Sequence, residues 1–288
     1  MRTAVLFCLI ATMAGQAASL PADTVFVGKK KFEALVAKGN RENWASLPLG
    51  ERVGRVGMAM AGTPYKNYTL ELHDRIETPC ANFNGVDCWT FFEIALAMAR
   101  LQKETTEADS KRFLRLIEED RYRGGRCDST FSSRLHHLED WLWDNQKRGL
   151  VKDITPSLPG ARKITRTMNY MGGKGSRFFR QLRADRSQIP KLAKVEADLS
   201  KRGIWYVPKS AVPAAEKYIR TGDIISIVTT WPGSYTSHVG IAYRDKNGVL
   251  RFLHASKNAG KVILDSRLST YLNRYKLHAG IFVARPQE

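Results

Sequence analysis

Asp87-Cys88-Trp89-Thr90-Phe91-Phe92-Glu93-Ile94-Ala95-Leu96-Ala97-Met98-Ala99 is the stretch on which the fold turns. Asp is a residue type that caps helix N-termini through its side-chain oxygen. After it, Phe91, Phe92, Ala95, Leu96 and Ala99 recur at helical spacing. The pattern predicts a buried helix that begins on Cys88. A cysteine there sits in the partial positive charge of the helix N-terminus, which favours the thiolate, the reactive form of the side chain. Its backbone N–H is unpaired within the helix and free to point at a developing oxyanion. The competing reading is a buried cysteine packed as a small hydrophobe.

Working outward, residues 30–61 are helical in pattern. Phe32, Leu35 and Val36 lie on one face and Val53, Val56, Gly57 and Met60 on another, on either side of the Ser46-Leu47-Pro48-Leu49-Gly50 turn. Gly62-Thr63-Pro64-Tyr65 breaks the helix and opens a loop that runs to Asp87. Downstream, helices are predicted over 107–119 and 132–147. The stretch 152–220 is basic and contains several Pro and Gly, with a short helix at 189–201; it reads as an insertion. The period then changes, and strands are predicted over 223–230, 238–243, 249–256, 261–265 and 280–285. Helices first and an antiparallel sheet later make an α+β fold.

The Asp245-Lys246-Asn247-Gly248 turn joins two of these strands into a hairpin. Centred between Lys246 and Asn247, it places Val239 opposite His254 and His238 opposite Ala255, so two histidines meet at one end of adjacent strands. A one-residue change of register turns every side chain to the other face, so the turn type decides whether both face Cys88. Neighbouring histidines suit a base and a partner that holds its tautomer; the alternative is a pair of satisfied core residues.

At the N-terminus Arg2 precedes an apolar run over 4–14, followed by Gly15, Ala17, Ala18 and Ser19. This reads as a secretory signal over 1–19, cleaved near 17–19, because spanning a bilayer takes about 20 apolar residues. Cys8 lies inside the apolar run with too little chain ahead of it for a lipid-modified cleavage site. Residues 20–288 are then expected as one exported domain, periplasmic or extracellular, with no integral membrane segment. Composition, 43% hydrophobic and 26% charged, excludes disorder. The net charge of +18 implies attraction to polyanions, for an exported chain those of the cell envelope. Basic residues are dispersed in groups such as Lys29-Lys30-Lys31 and Lys201-Arg202 without a nucleic-acid-binding motif, so no nucleic-acid partner is expected.

Removing 1–19 takes Cys8 away and leaves Cys80, Cys88 and Cys127, an odd count. In an oxidising compartment two can pair, and the third needs a reason to stay free. Cys80 and Cys88 are too far apart in sequence for a zinc pair, and no His-x-x-x-His accompanies them. His136 and His137 are adjacent and on a helix would point about 100° apart. No metal or cofactor is expected.

Taken together, Gly62-Thr63-Pro64-Tyr65, Asp87-Cys88, Gly222-Asp223-Ile224-Ile225, Ser237-His238-Val239-Gly240-Ile241 and Leu253-His254-Ala255 resemble the NlpC-like cell-wall hydrolases of papain-like fold, in the same Cys, His, His order. A narrower resemblance is to the N-acetylmuramoyl-L-alanine amidase-like branch, long catalogued as a domain of unknown function. It rests on Thr69-Leu70-Glu71, Tyr122-Arg123-Gly124-Gly125, Arg134-Leu135-His136, Asp140-Trp141, Trp231-Pro232-Gly233, Tyr271-Leu272-Asn273-Arg274 and Ala284-Arg285-Pro286. It covers roughly 50–286.

The resemblance implies a triad of Cys88, His238 and His254, with Tyr65, Asp87 and Ser237 around the oxyanion and substrate. It implies a peptidoglycan substrate, cut at the amide between the muramic acid lactyl group and L-alanine, without a cofactor. Glu71, Asn82, Arg123 and Arg134 are candidates for binding substrate charges, with salt bridging or loop support as the alternative. The chain departs from the family pattern at Cys80, Cys127 and His137, and the two extra cysteines suggest a Cys80–Cys127 disulfide. Two other functions remain in competition: a stem-peptide endopeptidase of the same superfamily, and a noncatalytic envelope-binding protein.

Overall fold

The computed structural model describes residues 20–288, so the expected signal at 1–19 lies outside the described residues. Among the described residues no helix is long and apolar enough to cross a membrane. After a single helical turn at Ala22–Val25 come the helices Lys29–Arg41 and Leu49–Ala59, joined through a 3-10 turn at Trp44–Ser46. The helix Cys88–Glu104 follows and lies at the centre of the core. Phe91, Phe92, Ile94, Leu96 and Met98 have no exposed surface, so the helix is enclosed on all sides. Its start is fixed by a reciprocal cap: Thr90 N donates to Asp87 Oδ1 at 2.8 Å, and Asp87 N donates to Thr90 Oγ1 at 3.0 Å.

The strands in chain order are β1 (Phe26–Val27), β2 (Ala81–Asn82), β3 (Val151–Asp153), β4 (Arg162–Ile164), β5 (Ile204–Pro208), β6 (Ile224–Thr229), β7 (Thr236–Arg244), β8 (Leu250–Ser256), β9 (Lys261–Arg267) and β10 (His278–Pro286). β1 and β2 form a small parallel pair. The main sheet runs β4-β5-β10-β6-β7-β8-β9 with antiparallel pairings, and β3 also pairs with β10. β6 is buried along its whole length: Ile224 and Val228 join the core that contains the helix Cys88–Glu104, while Ile225 and Ile227 join the core on the other face. The chain is thus an α+β fold, N-terminal helices packed on a C-terminal antiparallel sheet.

The stretch 152–220 supplies β4 and β5 to this sheet and carries the helix Ile189–Arg202. β5 reads as a strand, Ile204-Trp205-Tyr206-Val207, but Gly203 before it and Pro208 at its end are loop signals. The helix expected from 132 begins at Leu138. Its first residues are drawn off by other partners: Leu135 N donates to Arg121 O at 2.9 Å, Tyr122 bridges Arg134, and His136 Nε2 lies 2.7 Å from Phe131 O. The helix expected from 107 begins at Ser110, where Asp109 caps it through Arg112 N.

The β7–β8 hairpin differs from expectation by one residue. Its loop holds three residues, Lys246-Asn247-Gly248, closed by Asp245 N to Val249 O at 3.0 Å, with Gly248 left-handed at φ 73°. Ile241 therefore pairs with Leu253 and Tyr243 with Arg251. Continuing this register sets His254 opposite Gly240, not Val239, and diagonal to His238 on one face. The expected register would have put the two histidines on opposite faces.

Cys80 and Cys127 do not form the expected disulfide; both are free thiols. Each has its own neighbours: Cys80 Sγ lies 3.7 Å from Thr69 O and from Arg121 Nη1, and Cys127 Sγ lies 3.5 Å from Glu77 O.

Candidate active site

The main sheet breaks step in three places. Ser237 is extra on β7, between the pairs Ile227↔His238 and Val228↔Thr236. Ala279 is extra on β10, between Thr229↔His278 and Val228↔Gly280. Asp265 and Ser266 of β9 together face Phe252 alone. Bulges re-aim side chains and interrupt pairing, and two of these flank residues that line one cleft of about 580 Å3. Ser237, His238 and His278 line it together with Tyr65, Cys88 and His254, and the exposed Trp231, Lys257 and Arg274 border it as well.

Tyr65 is held there by backbone pairing on two sides. Val262 N donates to Thr63 O at 2.8 Å and Tyr65 N to Gly260 O at 2.8 Å, which lays residues 62–65 along the free edge of β9. On the other side Val86 N donates to Pro64 O at 3.0 Å, tying the same segment to the residue before Asp87. Burial, then Cys88 and Asp87, push the Tyr65 phenol well above its usual range, so it stays a hydrogen-bond donor.

His238 and His254 are bonded to each other, Nε2 to Nδ1 at 2.7 Å. His254 Nε2 lies 3.4 Å from Asp265 Oδ2. The His254 ring stacks on Phe252 at 4.6 Å and meets Tyr271 edge-on at 5.2 Å, so both its plane and its partners are set. Gly240 makes room beneath it: a Cβ there would lie 2.8 Å from His254 Cβ and 2.7 Å from Leu253 O.

Electrostatics correct one expectation. The helix N-terminus was expected to lower the Cys88 pKa, but burial and the neighbouring Asp87 push it up to about 12. The N–H groups of Val239, Cys88 and Trp89 pull the other way and are outweighed. His238 is held down to about 3 by burial, with His254 and His278 adding to it. Burial also lowers His254, against the pull of Asp265, and takes His278 down to about 4. The cleft thus holds a thiol and neutral imidazoles.

Of the residues singled out in the sequence, Cys88, His238, His254, Tyr65 and Ser237 are brought together. Asp87 adjoins them with its carboxylate committed to the helix cap. The other four lie away from the cleft lining. Arg123 pairs with Asp140 at 2.6 Å, and Arg134 lies 3.4 Å from Glu77. Glu71 offers its backbone O to Arg180 at 3.0 Å, and Asn82 Oδ1 accepts from Asn84 N at 2.9 Å. The sequence reading passed over Asp265, His278 and Lys257. Tyr271, Trp231 and Arg274 stood in the motifs without an assigned place.

The family model described as AmiA-like, N-acetylmuramoyl-L-alanine amidase-like, matches residues 55–281. An N-acetylmuramoyl-L-alanine amidase from Bacteroides uniformis is 31% identical, with a TM-score of 0.75 over 83% of this chain and 99% of that one. A Bacteroides fragilis protein described as a candidate xylanase is 37% identical, with a TM-score of 0.72 over 80% of this chain and 98% of that one. Protein LPG0564 from Legionella pneumophila, 22% identical with a TM-score of 0.67 over 90% and 94%, shares the fold. No curated protein matches the chain. With more than half its length matched by that model, the chain belongs to the N-acetylmuramoyl-L-alanine amidase-like family.

Proposed function

We propose that this protein is an exported cysteine hydrolase of papain-like type that cuts the amide between N-acetylmuramic acid and L-alanine in peptidoglycan fragments. The observation that carries the reading is the 2.7 Å bond between His238 and His254 in the cleft that Cys88 lines at a helix start. Cys88 Sγ attacks the lactyl carbonyl while its proton passes to His238. The oxyanion is met by the Cys88 N–H and the Tyr65 hydroxyl. Collapse breaks the C–N bond, and the L-alanine amine leaves with the proton from His238. A thioester remains on Cys88. Water, deprotonated by His238, then cleaves it and frees the muramic acid carboxylate.

The cleft lining contains no Asp or Glu, whereas glycoside hydrolysis takes two carboxyl groups flanking the bond, so a xylanase-like activity lacks its chemistry in this cleft. Digestion of purified muropeptides by wild type and Cys88→Ala in parallel tests the proposal. Intact free stem peptide from wild type alone supports it. Shortened stems would mean endopeptidase action, and binding without turnover would sink the enzyme reading.

A further inference from the structure

His254 is positioned by more than His238. Its Nε2 faces Asp265 Oδ2 at 3.4 Å, and Asp265 is itself held: Ser266 N donates to its Oδ1 at 2.5 Å, and the Arg274 guanidinium grips the same oxygen. Arg274 also donates to Ser266 Oγ at 2.7 Å, so the bulge carrying Asp265 is braced from outside the strand. We infer that Asp265 is a positioning residue, the outer end of a relay Cys88–His238–His254–Asp265 that fixes the tautomers of both histidines. The inference rests on the reading of Cys88 and His238 given above.

The proton count leaves one arrangement. An ionised carboxylate only accepts, so His254 carries its hydrogen on Nε2 and presents a bare Nδ1. The 2.7 Å bond is then donated by His238 Nε2–H. His238 is neutral, so its Nδ1 is bare, and that is the nitrogen available for the Cys88 proton. Without Asp265, His254 is free to hold its hydrogen on Nδ1 and donate it to His238. His238 would then carry its own hydrogen on Nδ1 and accept nothing from Cys88. Although burial opposes ionisation of Asp265, Arg274, the Ser266 N–H and His254 together hold its carboxyl below the usual range. The same carboxylate faces the positive charge that develops on the histidines when His238 takes the proton. The other titratable groups facing the relay are Tyr271 and His278, with Lys209 behind His278, and Asp87 and Tyr65 beside Cys88.

Two readouts that need no substrate test this on the full chain. One is 15N NMR of the histidine ring nitrogens; the other is the iodoacetamide rate of Cys88 across pH, resolved by peptide mass from Cys80 and Cys127. Wild type is expected to show Nε2–H tautomers at both His238 and His254. Asp265→Leu should release that preference and slow Cys88 alkylation at pH 7 by about tenfold or more. Asp265→Asn, whose amide oxygen still accepts, should keep the tautomer and lose a smaller part of the rate. Unchanged tautomers and alkylation in Asp265→Leu overturn the inference. If that variant does not fold, unchanged alkylation in Asp265→Asn overturns it. Muropeptides left uncut by a wild type whose Cys88 responds to Asp265→Leu would sink the proposed substrate and support the relay.

Discussion

His238 Nε2 and His254 Nδ1 lie at hydrogen-bond distance, 2.7 Å, although the two residues come from different strands. The contact exists because the hairpin loop holds three residues, which puts the two rings diagonally on one face. An even two-residue turn would have separated them.

Removing either ring is expected to affect turnover more than binding. His238→Ala should lower kcat/KM on muropeptides by about 10²–10⁴-fold, the range for a lost general base. His254→Ala should move in the same direction by less, since the proposed base, His238, survives. Steady-state kinetics check this, and wild-type kcat/KM in His254→Ala would remove the pair from the mechanism.

The pH dependence follows from the same burial. His238, held down to about 3, stays neutral above that pH and keeps its capacity to accept a proton. The acid limb of kcat/KM is therefore expected well below the 6.5 of an ordinary histidine. A limb near that value, with the fold intact by circular dichroism, would contradict it.

Asp87 has two effects that can be separated. Asp87→Asn keeps a good cap but removes a charge that pushes Cys88 toward about 12. Cys88 should then be alkylated faster at mildly alkaline pH. Asp87→Ala should in addition lose about 1 kcal/mol of stability with the cap. An unaltered alkylation rate in Asp87→Asn would leave burial as the whole cause.

At Gly240, alanine should destabilise by about 1–3 kcal/mol through overpacking and displace His254, lowering kcat as well. Urea unfolding and kinetics together check it. Retained activity would show that the strands part without moving the ring.

Glu93 and Arg121 form an ion pair at 2.7 Å with neither side chain exposed, joining the helix Cys88–Glu104 to Ser110–Arg121. Arg121 Nη1 also holds Cys80 O at 2.8 Å in the loop ahead of Cys88. Arg121→Met strands a buried carboxylate and should cost about 3–5 kcal/mol. Adding Glu93→Leu should recover most of it, and a double variant as unstable as the single would place the cost elsewhere.

What the sequence made legible was local. The cap at Asp87, the apolar stripe behind Cys88 and the two histidines on neighbouring strands are short-range patterns, and all are present. The register was not legible, because Gly248 in its left-handed conformation lengthens the loop by one residue. Asp265 was hidden for a related reason: a bulge upsets the alternation that tells which face a strand residue takes. The Cys88 pKa went astray because a helix start is visible in sequence whereas enclosure by distant segments is not. The strands of the basic stretch are short, β4 spanning three residues and β5 being bounded by Gly203 and Pro208, so they read as loop.

The extra residues at Ser237 and Ala279 divide the labour of the sheet. Backbone in its middle is paired without a break, while the rim by the cleft has surrendered part of its ladder, and local opening is expected to cost less there. Amide exchange should therefore reach Ser237 and Ala279 before Ile225 and Val283. Exchange at all four amides at one rate would show that the two bulges leave the rim as firmly held as the strands beneath.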